Sequence, residues 1–114
     1  MEEFVKQTLL FDFYGDLLTE HQRRVYEDVV CGDLSFSEAA QDLGVSRQGV
    51  HDLVRRCDRQ LQEYESKLHL VERFLLIRGS VGEILEKAGA LENVVPGNEP
   101  QEIMEICRQI LGQL

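Results

Sequence analysis

Between Ser35 and Cys57 the chain reads SFSEAAQDLGVSRQGVHDLVRRC, two helix starts separated by an enforced turn. Ser35 with Glu38 three residues on is a capping box, in which hydroxyl and carboxylate each satisfy a backbone N–H that a new helix leaves free. Ser46 offers a further N-cap. Between them Gly44 ends the first helix, because glycine takes left-handed backbone without steric cost. Ala40 is small where two helices must approach, Val45 fills the space between them, and Val50 and Leu53 supply apolar contacts on the second. The offsets of four, ten and thirteen residues from Ala40 to Gly44, Val50 and Leu53 predict a helix-turn-helix, with an ordinary αα-hairpin as the alternative.

The rest of the chain extends this to an all-α fold. No Asn-Gly or Asp-Gly hairpin signal is present and β-branched runs are short. Residues 2–18 set Phe4, Phe11, Tyr14 and Leu18 at helical spacing, with Leu10, Phe13 and Leu17 widening the stripe. Thr19 and Gln22 form another capping box, opening a helix with Val25 and Val29 inward that Gly32 stops as a C′ residue. Toward the C-terminus NVVPGNEP, residues 93–100, is the clearest loop. Pro100 suits a first helical turn capped by Asn98 or Glu99. The last helix then shows Ile103, Ile106, Cys107 and Ile110 on one face.

After Ser46, apolar or neutral residues recur at Val50, Val54, Cys57, Leu61, Tyr64, Leu68, Val71 and Leu75, in steps of four and three. This heptad seam predicts one long recognition helix over 47–78, about 48 Å at 1.5 Å per residue, before Gly79 and Gly82 interrupt it. The expected organisation is a helix-turn-helix domain over 1–78 and an acidic helical extension over 79–114. So long a helix needs cover for its distal half, from the tail, the first helix or a second subunit. The stripe of residues 2–18 reads first as closing the domain's own core, with a fraction facing a partner. A contribution from a homodimer is favoured, with Phe11, Tyr14, Leu61, Tyr64, Leu68 and Val71 as the dimer or partner interface.

Charge is divided unevenly. The net charge is −9, which opposes loose binding to phosphate-rich partners. Residues 47–78 nevertheless hold seven basic against five acidic residues, and the remainder five against sixteen. The candidate contact surface for nucleic acid is therefore Ser46, Arg47, Gln48, His51, Arg55, Arg56 and Arg59. The first helical turn in the motif reaches base edges, and Arg or Gln there makes bidentate contacts. Ser46 and the free amides of the helix start suit a phosphate. Asp52 opposes duplex DNA, because a carboxylate in the groove accepts only from cytosine and repels phosphates, and Gly49 contributes nothing there.

Other chemistry is poorly served. His21, His51 and His69 have no partner at metal-ligand spacing, and no phosphate loop or catalytic triad order stands out. No metal, cofactor or enzymatic activity is expected. Cys31, Cys57 and Cys107 lie far apart among apolar residues and read as buried free thiols. No apolar run reaches 18 residues, and MEEFVK is unlike a secretory start. The expected setting is cytoplasmic, without a membrane.

The segment from Phe11 to Leu70 carries FDFY at 11–14, LLT at 17–19, GVSRQ at 44–48 and YESKLHL at 64–70. In this it resembles the bacterial YlxM family of small helix-turn-helix proteins and, more distantly over Leu18 to Arg56, region 4 of sigma factors. The resemblance implies an accessory or regulatory role beside the signal recognition particle, with the particle's small RNA and its GTPase subunit as partners. In the sigma-like fold the positions of Gln48, His51 and Asp52 face DNA bases. The expected function is thus a non-enzymatic accessory protein of that pathway. Alternatives are a DNA-binding transcriptional regulator and a protein-only adaptor with the helix-turn-helix as scaffold.

Overall fold

Local capping signals and one glycine turn set the helix boundaries in the computed structural model, which describes residues 2–114. Six helices follow in order: α1 Glu3–Tyr14, α2 Glu20–Tyr26, α3 Phe36–Leu43, α4 Arg47–Leu68, α5 Leu70–Ala90 and α6 Glu99–Gln113. No strand occurs among the described residues. None of the described helices is long and apolar enough to cross a membrane. One compact unit ends at Val71, and a second runs from Glu72 to Leu114.

Both capping boxes form in full, Thr19 with Gln22 and Ser35 with Glu38. Gly44 takes φ 68° and ψ 30°. The end of α2 differs from expectation. A wide π turn over Glu27–Cys31 follows it, and Gly32 is extended at φ −104° instead of left-handed. Glycine is still required, because a Cβ there would stand 2.8 Å from the Asp28 carbonyl oxygen.

In the first unit Val50, Val54, Cys57 and Leu61 of α4 are buried at seam spacing, against Leu10 and Tyr14 of α1, Val25 and Tyr26 of α2, and Ala39 and Ala40 of α3. Gln7 bonds Asp58 and Tyr14 bonds Glu65, both 51 residues apart in sequence. That constant offset means α1 and α4 run side by side in the same direction. Phe4, expected on the inner face of α1, is 57% exposed. Leu10 takes the inner position instead, and Phe11 stacks on Tyr26 at 5.4 Å between ring centroids.

The single helix expected over 47–78 is two helices. α4 stops at Leu68, His69 adopts left-handed backbone at φ 57°, and α5 starts at Leu70. The heptad pattern runs through this point without a signal, so the cause is tertiary. Tyr14 Oη accepts the Leu70 N–H at 3.1 Å and donates to Glu65 Oε1 at 2.5 Å, and that oxygen accepts the Val71 N–H at 3.0 Å. A phenol and a carboxylate thus satisfy amides that a helix start leaves open. Downstream, α5 continues through Gly79 and Gly82, which were expected to interrupt it. A glycine in a helix interior costs about 1 kcal/mol, too little to stop a 21-residue helix.

Within the second unit Val81 and Ala88 of α5 and Pro100 and Cys107 of α6 are buried. Pro100 occupies the first turn of α6 as expected, but Asn98 makes no side-chain cap. The inner face of α6 is Pro100, Met104, Cys107 and Leu111, leaving Ile103, Ile106 and Ile110 exposed. Of the four residues expected inward, only Cys107 is. Cys57 is also buried, Cys31 is half-buried, and all three thiols are free.

Candidate nucleic-acid interface

The head of α4 is built by local chemistry. Gly44 turns the chain, Val45 N–H returns to the Ala40 carbonyl at 3.1 Å, and Ser46 Oγ accepts the Gly49 N–H at 3.0 Å. The Ser46 oxygen therefore serves as helix cap, with its hydroxyl proton still available to an acceptor. The first turn of α4 contains no acidic residue, so its positive dipole end is not neutralised locally. Val50 is buried behind this turn, whereas Val45 is 51% exposed and does not fill the space between the helices as expected.

From that head a stripe runs outward along α4. Gln48, Asp52, Arg55 and Arg59 are exposed at steps of four, three and four, with Arg56 beside them. At 1.5 Å per residue the stripe from Arg47 to Arg59 is about 18 Å long. Asp52, Arg55, Arg56 and Arg59 together line an open hollow of about 370 Å³. Among the described residues Arg47, Arg55, Arg56 and Arg59 form no ion pair, whereas Arg23 pairs with Asp16 and Lys67 with Glu63. Guanidinium groups left unneutralised on one face are available to phosphates.

Two acids counted in this segment do not face the stripe. Asp58 accepts the Tyr26 phenol at 2.6 Å and the Gln7 amide at 3.1 and 3.2 Å. Glu65 is engaged by Tyr14. Both carboxylates are directed toward the packed side of α4, so its outer face is more positive than the balance of seven against five suggests. Sequence alone hides this, because the inward role of these acids depends on tyrosines in other helices.

Gln48 and His51 are in less open settings. Gln48 Nε2 donates to Asp52 Oδ1 at 3.0 Å, so the amide is held by the carboxylate. His51 is half-buried and meets Phe36 edge-on, 5.5 Å between centroids at 79°. Its Nδ1 is closed to solvent and has no hydrogen-bond partner. Phe36, Arg47, Gln48 and His51 line a second open hollow, of about 490 Å³. Phe36 was not among the residues expected from sequence. Its signal is an aromatic at the first position of α3, where capping arguments look only at Ser35 and Glu38.

The residues assigned to a subunit interface divide differently. Tyr14, Leu61 and Val71 are buried within the chain and are core residues, not surface anchors. Phe11 and Tyr64 are half-buried, against Tyr26 and Tyr14 respectively, and only Leu68 is exposed, at 46%. For Tyr14, Leu61 and Tyr64 the cause is that α1 lies along α4 as far as Glu65.

Burial sets the titration of the interior. It pushes the Cys57 thiol up to about 11, with Asp58 adding to the effect and Arg56 opposing it. The Cys31 thiol is raised by burial, then by Asp12 and Glu27. Tyr26 and Tyr14 are raised by burial first and by their carboxylate partners second. Near neutrality Cys57 is therefore a thiol and both phenols are hydrogen-bond donors.

Comparison with known proteins finds relatives of this chain by sequence. The family model UPF0122, described as "Putative helix-turn-helix protein, YlxM / p13 like", matches residues 1–95. A UPF0122 protein of Shouchella clausii (strain KSM-K16) is 42% identical over 114 residues, 100% of this chain and 95% of the relative. One from Thermoanaerobacter sp. (strain X514) is 36% identical over 113 residues, 99% and 94% of the two chains. One from Clostridium botulinum (strain Alaska E43 / Type E3) is 48% identical over 73 residues, 64% and 67%. No solved structure matches the chain significantly. The likeness thus reaches well beyond Phe11 to Leu70 and takes in the acidic C-terminal part, where the resemblance drawn from motifs had stopped.

Proposed function

The chain belongs to the UPF0122 family of helix-turn-helix proteins, and on that premise we propose that it is a non-enzymatic, RNA-binding accessory protein of the signal recognition particle pathway. The arginine face of α4 grips the particle's RNA, and the acidic remainder of the surface meets the particle's GTPase subunit. One observation carries the RNA half: Arg55, Arg56 and Arg59 share an exposed hollow and have no ion-pair partner. The pathway comes from the family resemblance. The GTPase half rests on charge, because an acidic surface favours a basic protein partner.

The same helix argues against a promoter reader. A base-reading amide must be free at the head of the recognition helix, but Gln48 is bonded to Asp52. That carboxylate stands in the stripe that would enter the major groove. Backbone contact by arginines has no such requirement.

The test is fluorescence anisotropy with the particle's RNA, generic duplex DNA and the purified GTPase subunit, each over a salt series. Wild-type protein is expected to bind the RNA more tightly than duplex DNA. Arg55→Ala with Arg59→Ala lowers the salt slope by roughly 1–2, because each lost phosphate contact removes about 0.7–0.9 from it. An unchanged slope would sink the arginine-face assignment. Binding to the GTPase alone would favour the protein-only adaptor, and tighter binding to duplex DNA the transcriptional regulator.

A further inference from the structure

We infer that the hollow lined by Phe36, Arg47, Gln48 and His51 is a subsite for one unstacked base of single-stranded RNA, a role that rests on the RNA reading above and specifies which part of the RNA is recognised. The hollow lies at the head of α4, beside the stripe that carries the arginines, so a strand gripped through its phosphates passes its mouth. Four side chains line it: Phe36 from the start of α3, and Arg47, Gln48 and His51 from the first two turns of α4. It is a shallow hollow of about 490 Å³, open to solvent.

The chemistry of the lining matches the face of a base better than its edge. Phe36 supplies an aromatic surface, and Arg47, which has no ion-pair partner among the described residues, a planar guanidinium. Both are groups on which splayed bases stack. His51 brings a ring nitrogen without a partner. An unmet buried hydrogen bond is costly, and a modest rotation of the imidazole toward the hollow lets a base edge satisfy it. Gln48 adds a carbonyl oxygen, since only its amide nitrogen is used by Asp52.

Duplex RNA cannot use such a hollow. Its bases are stacked with their faces hidden, and its deep, narrow major groove does not admit a helix. A loop, bulge or single strand presents bases singly. The subsite therefore makes the protein a reader of an unpaired nucleotide flanked by backbone held on Arg55, Arg56 and Arg59.

The experiment uses full-length protein and a single-stranded RNA oligonucleotide carrying one 2-aminopurine, alone and annealed to its complement. Wild-type protein is expected to prefer the single strand by tenfold or more, and 2-aminopurine fluorescence to rise as the base leaves its neighbours. Phe36→Leu keeps apolar bulk but loses the aromatic face. It is expected to weaken single-strand binding by roughly 5- to 100-fold, the range of one base–aromatic stack, to abolish the fluorescence rise, and to leave the salt slope unchanged. His51→Ala, which leaves Phe36 in place, acts in the same direction and guards against a folding defect in the first variant. Arg55→Ala with Arg59→Ala lowers the slope but keeps the rise at saturation. If Phe36→Leu binds and fluoresces like wild type, the subsite is wrong while RNA binding stands. If wild type binds neither RNA, both readings fall together.

Discussion

Asp58 makes the strongest case for single-residue control of the core. Its carboxylate faces away from the arginine stripe and accepts from Tyr26, which is 0% exposed, and from Gln7 on α1. Removing the acceptor leaves a phenol hydroxyl without its partner in the interior, which costs about 1–3 kcal/mol. Removing the hydroxyl is milder, because Gln7 still serves the carboxylate. Asp58→Ala should therefore lower the urea-unfolding free energy by about 2 kcal/mol and Tyr26→Phe by about 1 kcal/mol. Equal losses, or the reverse order, would show that the bond to Tyr26 is not what Asp58 contributes. No property of Asp58 in the sequence announces this, since it stands among arginines and counts there as a surface acid.

At the scale of elements, what was legible was local and what was hidden was tertiary. The capping boxes at Thr19 and Ser35, the cap at Ser46 and the turn at Gly44 each involve residues within four positions of one another, and all form as read. The break at His69 was hidden because Leu61, Tyr64, Leu68, Val71 and Leu75 keep the heptad spacing across it. A hydroxyl 56 residues away decides the matter. One substitution tests this. Tyr14→Phe removes an acceptor for the Leu70 amide and a donor to Glu65, and should lower stability by about 1–2 kcal/mol. Hydrogen exchange at Leu70 and Val71 should accelerate in Tyr14→Phe, and unchanged protection there would assign the break to some other contact. The inner face of α6 differs from the expected one for a related reason. Apolar residues surround much of that helix, and only packing selects Cys107 over Ile103, Ile106 and Ile110.

For the molecule as a whole, charge and ionisation point the same way. The net charge of −9 coexists with a local cationic face because Asp58 and Glu65 are turned toward tyrosines, so that Asp52 alone faces Arg55, Arg56 and Arg59 in the outer hollow. The candidate surface was legible as a segment rich in arginine, but its true polarity needed the fold. Alkaline pH tests the interior. The Cys57 pKa rises on folding from an ordinary 9.0 to about 11, so the folded state holds that proton more tightly. The associated stability is fully present below about pH 9 and is lost as pH climbs through about 11. Tyr14 and Tyr26, raised in the same sense, add to the decline at higher pH. Unfolding free energies should fall between pH 9 and 11, and Cys57→Ala should flatten that part of the curve. A wild-type curve level to pH 11 would contradict the burial of the thiol.

The bond between Tyr14 and the start of α5 also bears on how the chain is made. Tyr14, Glu65, His69 and the two amides they serve all precede residue 72. Synthesis runs from the N-terminus, and domains generally fold as units in that order. Every group that sets the end of α4 and the start of α5 is thus translated before residues 72–114. The hydrogen bonds that fix the end of α4 lie wholly within the first unit, so forming them requires no residue after Val71.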